Sequence, residues 1–230
     1  QIFYTSEGFV TVSLCWVVMS IMGALPFLFS GSITSPVDAL FETVSGFTTT
    51  GASILSDVEV LPKSILFWRS FTHWIGGMGV LVFILSLLPL TGGSHMNLMK
   101  AESPGPSVSR LVPKVRLTAK LLYSIYIFMT VVEILFLLAG KMPLFDAVTV
   151  TFGTAGTGGF NIYPASIAHY DSRVVETILM IAMFTFGLNF NFFYLAYERR
   201  WKEIFKDEEL KWYIYIILGA LAIISLALIP

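Results

Sequence analysis

Stretches of roughly 20 apolar residues, each long enough to cross a hydrocarbon core of about 30 Å, recur along this chain and limit what it can fold into. They run from about Phe9 to Phe29, Ile65 to Leu88, Leu121 to Ala139, Val174 to Ala196 and Trp212 to Ile229. Charged residues make up only 13% of the sequence and hydrophobic ones 56%, whereas a soluble domain carries about 25% charged residues. The class is therefore an all-α polytopic membrane protein. A net charge of −1 argues against a nucleic-acid partner. The lone Cys15, inside an apolar span, excludes an internal disulfide framework and reads as inert packing. The chain opens on Gln1 without a basic leader or a small-residue cleavage site, and it closes on Pro230 just after an apolar run. Both ends are expected to belong to a longer protein, with no cleaved signal peptide.

Two polar stretches interrupt this apolar background: Thr48, Thr49, Thr50, Gly51 and Gly156, Thr157, Gly158, Gly159. Each is entered by an apolar segment too short to cross a membrane, Val37 to Gly46 and Leu144 to Phe152. Non-helical backbone is tolerated at membrane depth only where protein or a water-filled cavity surrounds it. Aligned without a gap so that Asp38-Ala39 meets Asp146-Ala147, the two regions also pair Thr43 with Thr151, Thr49 with Thr157 and Gly51 with Gly159. Small residues let successive carbonyls turn toward one axis, and glycine tolerates the positive φ such a turn needs. The pattern predicts an ion filter.

The order span, short helix, polar hairpin, span occurs twice. It predicts a first repeat over residues 9–90, a cytoplasmic linker over 91–119, a second repeat over 120–197, a charged linker over 198–211 and the first helix of a third repeat over 212–230. Lys and Arg set membrane orientation. Lys100, Arg110, Lys114, Arg116, Lys120, Arg199, Arg200, Lys202, Lys206 and Lys211 fall on one side; Lys63, Arg69, Lys141 and Arg173 fall on the other. The linkers are then cytoplasmic, and the hairpins enter from the outer face. Asp38, Glu42, Asp57, Glu59, Asp146, Asp171 and Glu176 cluster there, and such an acidic mouth concentrates cations. The short helices would turn their partly negative C-terminal ends toward the same place. Two hairpins do not close a ring, so a pore needs two more.

Thr43 to Ser53 (TVSGFTTTGAS), Trp68 to Val80 (WRSFTHWIGGMGV), Phe152 to Phe160 (FGTAGTGGF) and Asp207 to Tyr213 (DEELKWY), set in this repeated order, resemble the TrkH/TrkG/KtrB family of bacterial potassium transporters, and within it the TrkH branch. The resemblance covers nearly the whole chain. It implies potassium-channel-like units of helix, pore helix, filter loop and helix around a pseudo-fourfold pore, of which this chain holds the first two and the start of the third. It carries the family's filter onto Thr48, Thr49, Thr50 and Gly51 and onto Gly156, Thr157, Gly158 and Gly159, with potassium as the bound and transported ion and no cofactor in this chain. It further implies potassium uptake across the bacterial inner membrane, driven by the membrane potential, by a homodimer in contact with membrane lipid. A cytoplasmic TrkA-type nucleotide-binding ring would gate it.

Gly51 and Gly159 alone could serve tight turns. The run Gly153 to Gly159 lacks the Lys-Ser/Thr ending of a phosphate loop. Arg69 and His73 share one helical face; Arg69 is expected to support the filter by bonding Glu42 or pore-helix carbonyls. His73 shows no metal-ligand spacing with His95 or His169. Gly76, Gly77 and Gly79 form a small-residue surface for close helix packing, with a hinge as the sharper reading. Glu133, inside a span, is expected to face protein or water. Residues 198–211 read as a solvated connection or a docking surface for the ring. A sodium- or proton-coupled symporter is the alternative mechanism. An intramembrane hydrolase using Ser53 or Ser70 with His73 is the remote one, since no third group orients the histidine.

Overall fold

The computed structural model describes residues 5–79 and 115–228, and among them every regular element is helical. Helix α1 spans Thr5–Phe29, α2 Pro36–Phe47 and α3 Lys63–Gly77. The next three repeat that order: α4 Val115–Ala139, α5 Leu144–Ala155 and α6 Arg173–Phe186. A 3₁₀ turn at Ser166–Tyr170 sits in the polar loop before α6. The chain divides into two compact units, Gln1–Gly187 and Leu188–Pro230.

Local sequence explains where the short helices start. Ser35 caps α2, its hydroxyl accepting from the Asp38 amide at 3.4 Å, and Pro36 supplies a pre-set φ at the first helical position. The helix α5 follows Pro143 and carries Asp146 in its first turn, favourable to the helix dipole. Each three-helix set then packs around a core, the first of which also takes in Ile162 from the second repeat. In the first, Ala24 and Phe27 of α1 meet Ala39 of α2 and Ile65 and Leu66 of α3. In the second, Leu137 of α4 meets Ala147 and Val150 of α5 and Val175 and Leu179 of α6. Outward faces remain apolar, as for helices solvated by lipid: Phe128, Phe136, Val174 and Met180 are all exposed.

The sets meet through α3. Its Trp74 indole donates to the Thr130 hydroxyl of α4 at 3.0 Å, and the Tyr126 hydroxyl of α4 donates back to the Trp74 carbonyl at 2.9 Å. Phe67, Phe71 and Trp74 of α3 stack around Phe152 of α5, with ring centroids 5.6–5.7 Å apart.

Several boundaries differ from the sequence-based expectation. The helix expected from Ile65 toward Leu88 ends at Gly77, and Gly79 adopts φ +77°; residues 80–88, and the linker up to residue 114, lie outside the described residues. The span expected over Val174 to Ala196 is likewise divided, with α6 ending at Phe186 and α7 (Asn191–Tyr197) beginning after a break. In the ungapped register that pairs Asp38 with Asp146, Gly79 pairs with Gly187, so both helices stop at the same place in the repeat. The apolar sequence continues past both helix ends, which conceals them. Helix α5 runs on from Phe152 to Ala155.

The second unit has a small core of Phe192, Leu195 and Ile204, formed where α7 folds against α8 (Trp201–Lys206). Arg200 holds Glu203 at 2.6 Å and Glu198 at 3.2 Å across the turn between them. The Glu198 carboxyl, accepting from Tyr194 and then from Arg200, is held below its ordinary range. The charged stretch holds α8 and the first turn of α9 (Glu208–Leu228), and within it only Ile204 is buried. The Asn189 amide donates to the Glu209 carboxylate at 3.1 Å. Helix α9 is apolar and long enough to cross a membrane, as are Val10–Phe29 and Lys120–Ala139.

Candidate ion-coordinating hairpins

After α2 and after α5 the backbone makes the same unusual turn. Thr49 and Thr157 sit at φ 54° and 55°, and Gly51 and Gly159 at φ 75° and 79°. Positive φ costs a β-branched residue of order 1–3 kcal/mol and is kept only where the surroundings impose it. Here helix-end bonds impose it in register. The Thr48 amide donates to the Val44 carbonyl and the Thr49 amide to Gly46; in the second hairpin the Gly156 amide donates to Phe152 and the Thr157 amide to Thr154. Interleaving left-handed residues with ordinary ones turns successive peptide groups toward one side, where a strand would alternate them.

The two hairpins touch. A Cβ built on Gly51 would collide with the Gly158 carbonyl oxygen, one on Gly158 would lie 2.6 Å from the Thr49 carbonyl oxygen, and one on Gly156 3.2 Å from Thr49 Cγ2. Beside them, Gly51 and Ser53 of the first hairpin and Gly159, Asn161 and Tyr163 of the second line a cavity of about 210 Å³, with Arg69 at its wall. That volume suits several waters at about 30 Å³ each.

A buried ion pair fixes both hairpins from behind. Arg69 Nε meets Glu42 Oε1 at 2.5 Å, with both side chains nearly free of solvent. Glu42 also accepts from the Ser53 hydroxyl at 2.9 Å and the Ile54 amide at 3.0 Å, which holds the strand leaving the first hairpin. Arg69 Nη1 donates to the Asn161 carbonyl of the second hairpin at 2.8 Å, and its guanidinium lies 3.6 Å over the Phe160 ring. The carbonyl Arg69 reaches belongs to the outgoing strand and not to a pore helix. Shared donors and a cation–π contact offset the desolvation that makes isolated buried pairs costly.

The small residues of α3 meet both hairpins' supporting helices. A Cβ on Gly76 would strike the Phe47 carbonyl at the end of α2, and one on Gly77 would reach the Gly156 Cα and the Tyr126 hydroxyl. Close packing thus accounts for Gly76 and Gly77. Thr72 takes the space that Gly46 leaves open.

Several partners were not expected from the sequence. Ser45 donates to the Ala52 carbonyl at 2.5 Å, closing the first hairpin onto its helix. Asp146 accepts from the Tyr163 and Tyr170 hydroxyls at 3.2 and 3.3 Å, tying the polar loop to the start of α5. Burial, and then the Asp146 charge, push both phenols above their usual range. Aromatic hydroxyls spaced within one polar loop, downstream of an acid in a short helix, were the only signal available.

The remaining sequence candidates separate. Glu133 is buried beside Thr154 in the last turn of α5, and its carboxyl oxygens have no hydrogen-bond partner among the described residues. Ser53 is engaged by Glu42, while Ser70 and both His73 nitrogens have no hydrogen-bond partner among the described residues, so no nucleophile–base pair forms. Among the described residues no group of three or more His, Cys, Asp or Glu could hold a metal ion.

Repeated long helix, short helix, polar hairpin and helix, with the hairpins meeting backbone to backbone, define a helical membrane protein of the pore-loop class. A TrkH profile, described as a cation transport protein, matches residues 1–229, and the chain belongs to that family. It is 38% identical over 97% of its length to the Trk system potassium uptake protein TrkH of Halomonas elongata, and 40% identical over 96% to that of Escherichia coli K12. The E. coli TrkG potassium uptake protein is 33% identical over 96%. The crystal structure of the potassium transporter TrkH from Vibrio parahaemolyticus superposes with a TM-score of 0.74 at 32% identity, over 93% of this chain and 43% of that one. The chain spans about half the length of the curated relatives it matches: 47% of the Halomonas and E. coli TrkH proteins. Family and relatives are transporters, and the hydrolase reading falls with them.

Proposed function

We propose that this chain forms half of a potassium-conducting pore in the bacterial inner membrane, with main-chain carbonyls of Thr48 to Gly51 and of Gly156 to Gly159 replacing the ion's hydration shell. The observation that carries this reading is the matched pair of left-handed residues in hairpins that lie in backbone contact. Hard monovalent cations accept carbonyl and hydroxyl oxygens well, and rings of carbonyls are how potassium filters are generally built. The names of the relatives favour potassium as the ion. Further hairpins, from the rest of the protein, would complete a pseudo-fourfold ring. Arg69 and Glu42 hold the outgoing strands so that carbonyls face the ion without rearranging when it arrives.

In this reading the hairpins enter from the outer face, where acids outnumber bases, and ions move down the membrane potential. One charge crossing 100 mV gains about 2.3 kcal/mol, enough to drive uptake without a chemical step in this subunit. The complete protein would work as a homodimer gated by a TrkA-type nucleotide-binding ring at the cytoplasmic side. The repeat boundaries inferred from the sequence, with residues 212–230 opening a third unit, belong to the same proposal.

Ion flux through the complete protein tests it. Gly51→Ser and Gly159→Ser are expected to lower potassium-over-sodium discrimination. Gly51→Ser is the more damaging, because its side chain meets the Gly158 carbonyl while, among the described residues, nothing lies within 4 Å of a Cβ at Gly159. Unchanged discrimination in both variants would overturn the assignment. Uptake that follows an imposed sodium gradient would favour coupled symport instead.

A further inference from the structure

The hairpins differ in composition at two matched places. In the ungapped register Thr48 corresponds to Gly156 and Thr50 to Gly158, so the second hairpin lacks two side chains that the first carries. In the first hairpin these threonines support each other, their hydroxyls 2.8 Å apart. The second hairpin has no equivalent internal brace.

Helix α3 occupies the vacated space. A Cβ on Gly158 would run into Nε2 and Cδ2 of His73, and one on Gly156 would lie 2.7 Å from the His73 carbonyl oxygen. The His73 ring is fully buried and packs against Phe160, centroids 3.9 Å apart, one helical turn from where Arg69 covers the same ring. Arg69, His73 and Gly77, spaced four apart, therefore run down the second hairpin from Asn161 to Gly156. A plain filler here would be apolar. Instead the chain places here a ring whose two nitrogens have no hydrogen-bond partner among the described residues, although a buried polar group left without a partner costs about 1–3 kcal/mol.

We infer that His73 is a selectivity-determining positioning residue: its imidazole replaces the missing Thr50-type brace and holds the Gly158 peptide against Thr49 and Gly51. This inference rests on the filter reading above. Its role is exerted through Gly158 and not by contact with the ion.

The test uses the full-length protein in liposomes, with the potassium-to-sodium permeability ratio as readout, because that ratio does not depend on how much protein inserts. His73→Ala is expected to lower the ratio about tenfold, while His73→Gln, which restores bulk at the same place, keeps it near the parent value. Gly158→Ala should lower it too, and the double variant His73→Ala/Gly158→Ala should fall short of the product of the two losses by about fivefold or more, as for residues in direct contact. A His73→Ala protein with the parent ratio, a His73→Gln protein that loses it as fully as His73→Ala, or strictly multiplicative losses would overturn the inference while Gly51→Ser still alters selectivity. If Gly51→Ser and Gly159→Ser also leave the ratio unchanged, the filter reading itself fails.

Discussion

At the residue scale the buried Arg69–Glu42 pair reaches three segments at once: α2, the segment after the first hairpin and the segment after the second. Removing one partner leaves a buried charge uncompensated, which costs about 3–5 kcal/mol in comparable sites. Thermal melts in detergent should therefore show both Arg69→Met and Glu42→Leu strongly destabilised, with the double variant melting above either. Ion discrimination should stay lost in the double variant, since no donor then holds the Asn161 carbonyl; recovery of selectivity with stability would separate the pair from the hairpins. The pair itself was legible, because an acid and a base facing the same polar stretch in apolar surroundings have few other partners. The bonds to Ile54 and Asn161 were not, because they fall on backbone atoms that any residue type would offer.

At the scale of elements, α3 is the helix on which the others depend. It packs its Thr72 and Gly76 side on α2 and its Gly77 side on the end of α5. Gly76→Ala would press a methyl group into the Phe47 carbonyl, and overpacking of this kind costs about 1–3 kcal/mol. A lowered melting temperature with weakened selectivity is expected, since the residue displaced is the one just before Thr48. The glycines were readable as a packing surface, whereas which neighbour each admits depends on the crossing of α3 between two repeats. The helix ends were hidden for another reason: hydropathy does not change at Gly79 or Gly187, and only their shared register marks the breaks. The polar loop offers a pH test. With the Tyr163 and Tyr170 phenols raised above an ordinary value of about 10, the stability they confer is complete below that pH. It is lost as pH rises through their folded values. Alkaline unfolding curves should be shallower above about pH 10 in Tyr163→Phe/Tyr170→Phe than in the parent.

At the scale of the whole molecule, the core of the first repeat takes in Ile162 of the second, and helix α3 and the Arg69–Glu42 pair join the two repeats further. An ion held between hairpins of different repeats would strengthen that joint. Potassium at about 100 times its dissociation constant should stabilise the complete protein by about 2.7 kcal/mol. Sodium at the same concentration should do much less, and Gly51→Ser should abolish the difference; equal effects of the two ions would argue against selective binding. The architecture of spans and hairpins was legible from apolar length and the threonine–glycine register, which are local properties. The exchange of support between repeats was not, because it links residues far apart in sequence that no periodicity connects.

The threonines of the first hairpin and the glycines of the second are matched to what stands behind them, and this makes the repeats handed parts instead of duplicate tiles. A chain rebuilt with Thr48 to Gly51 grafted in place of Gly156 to Gly159 would drive a threonine side chain into the His73 imidazole. Gene duplication could have supplied the two units, but they can no longer trade places.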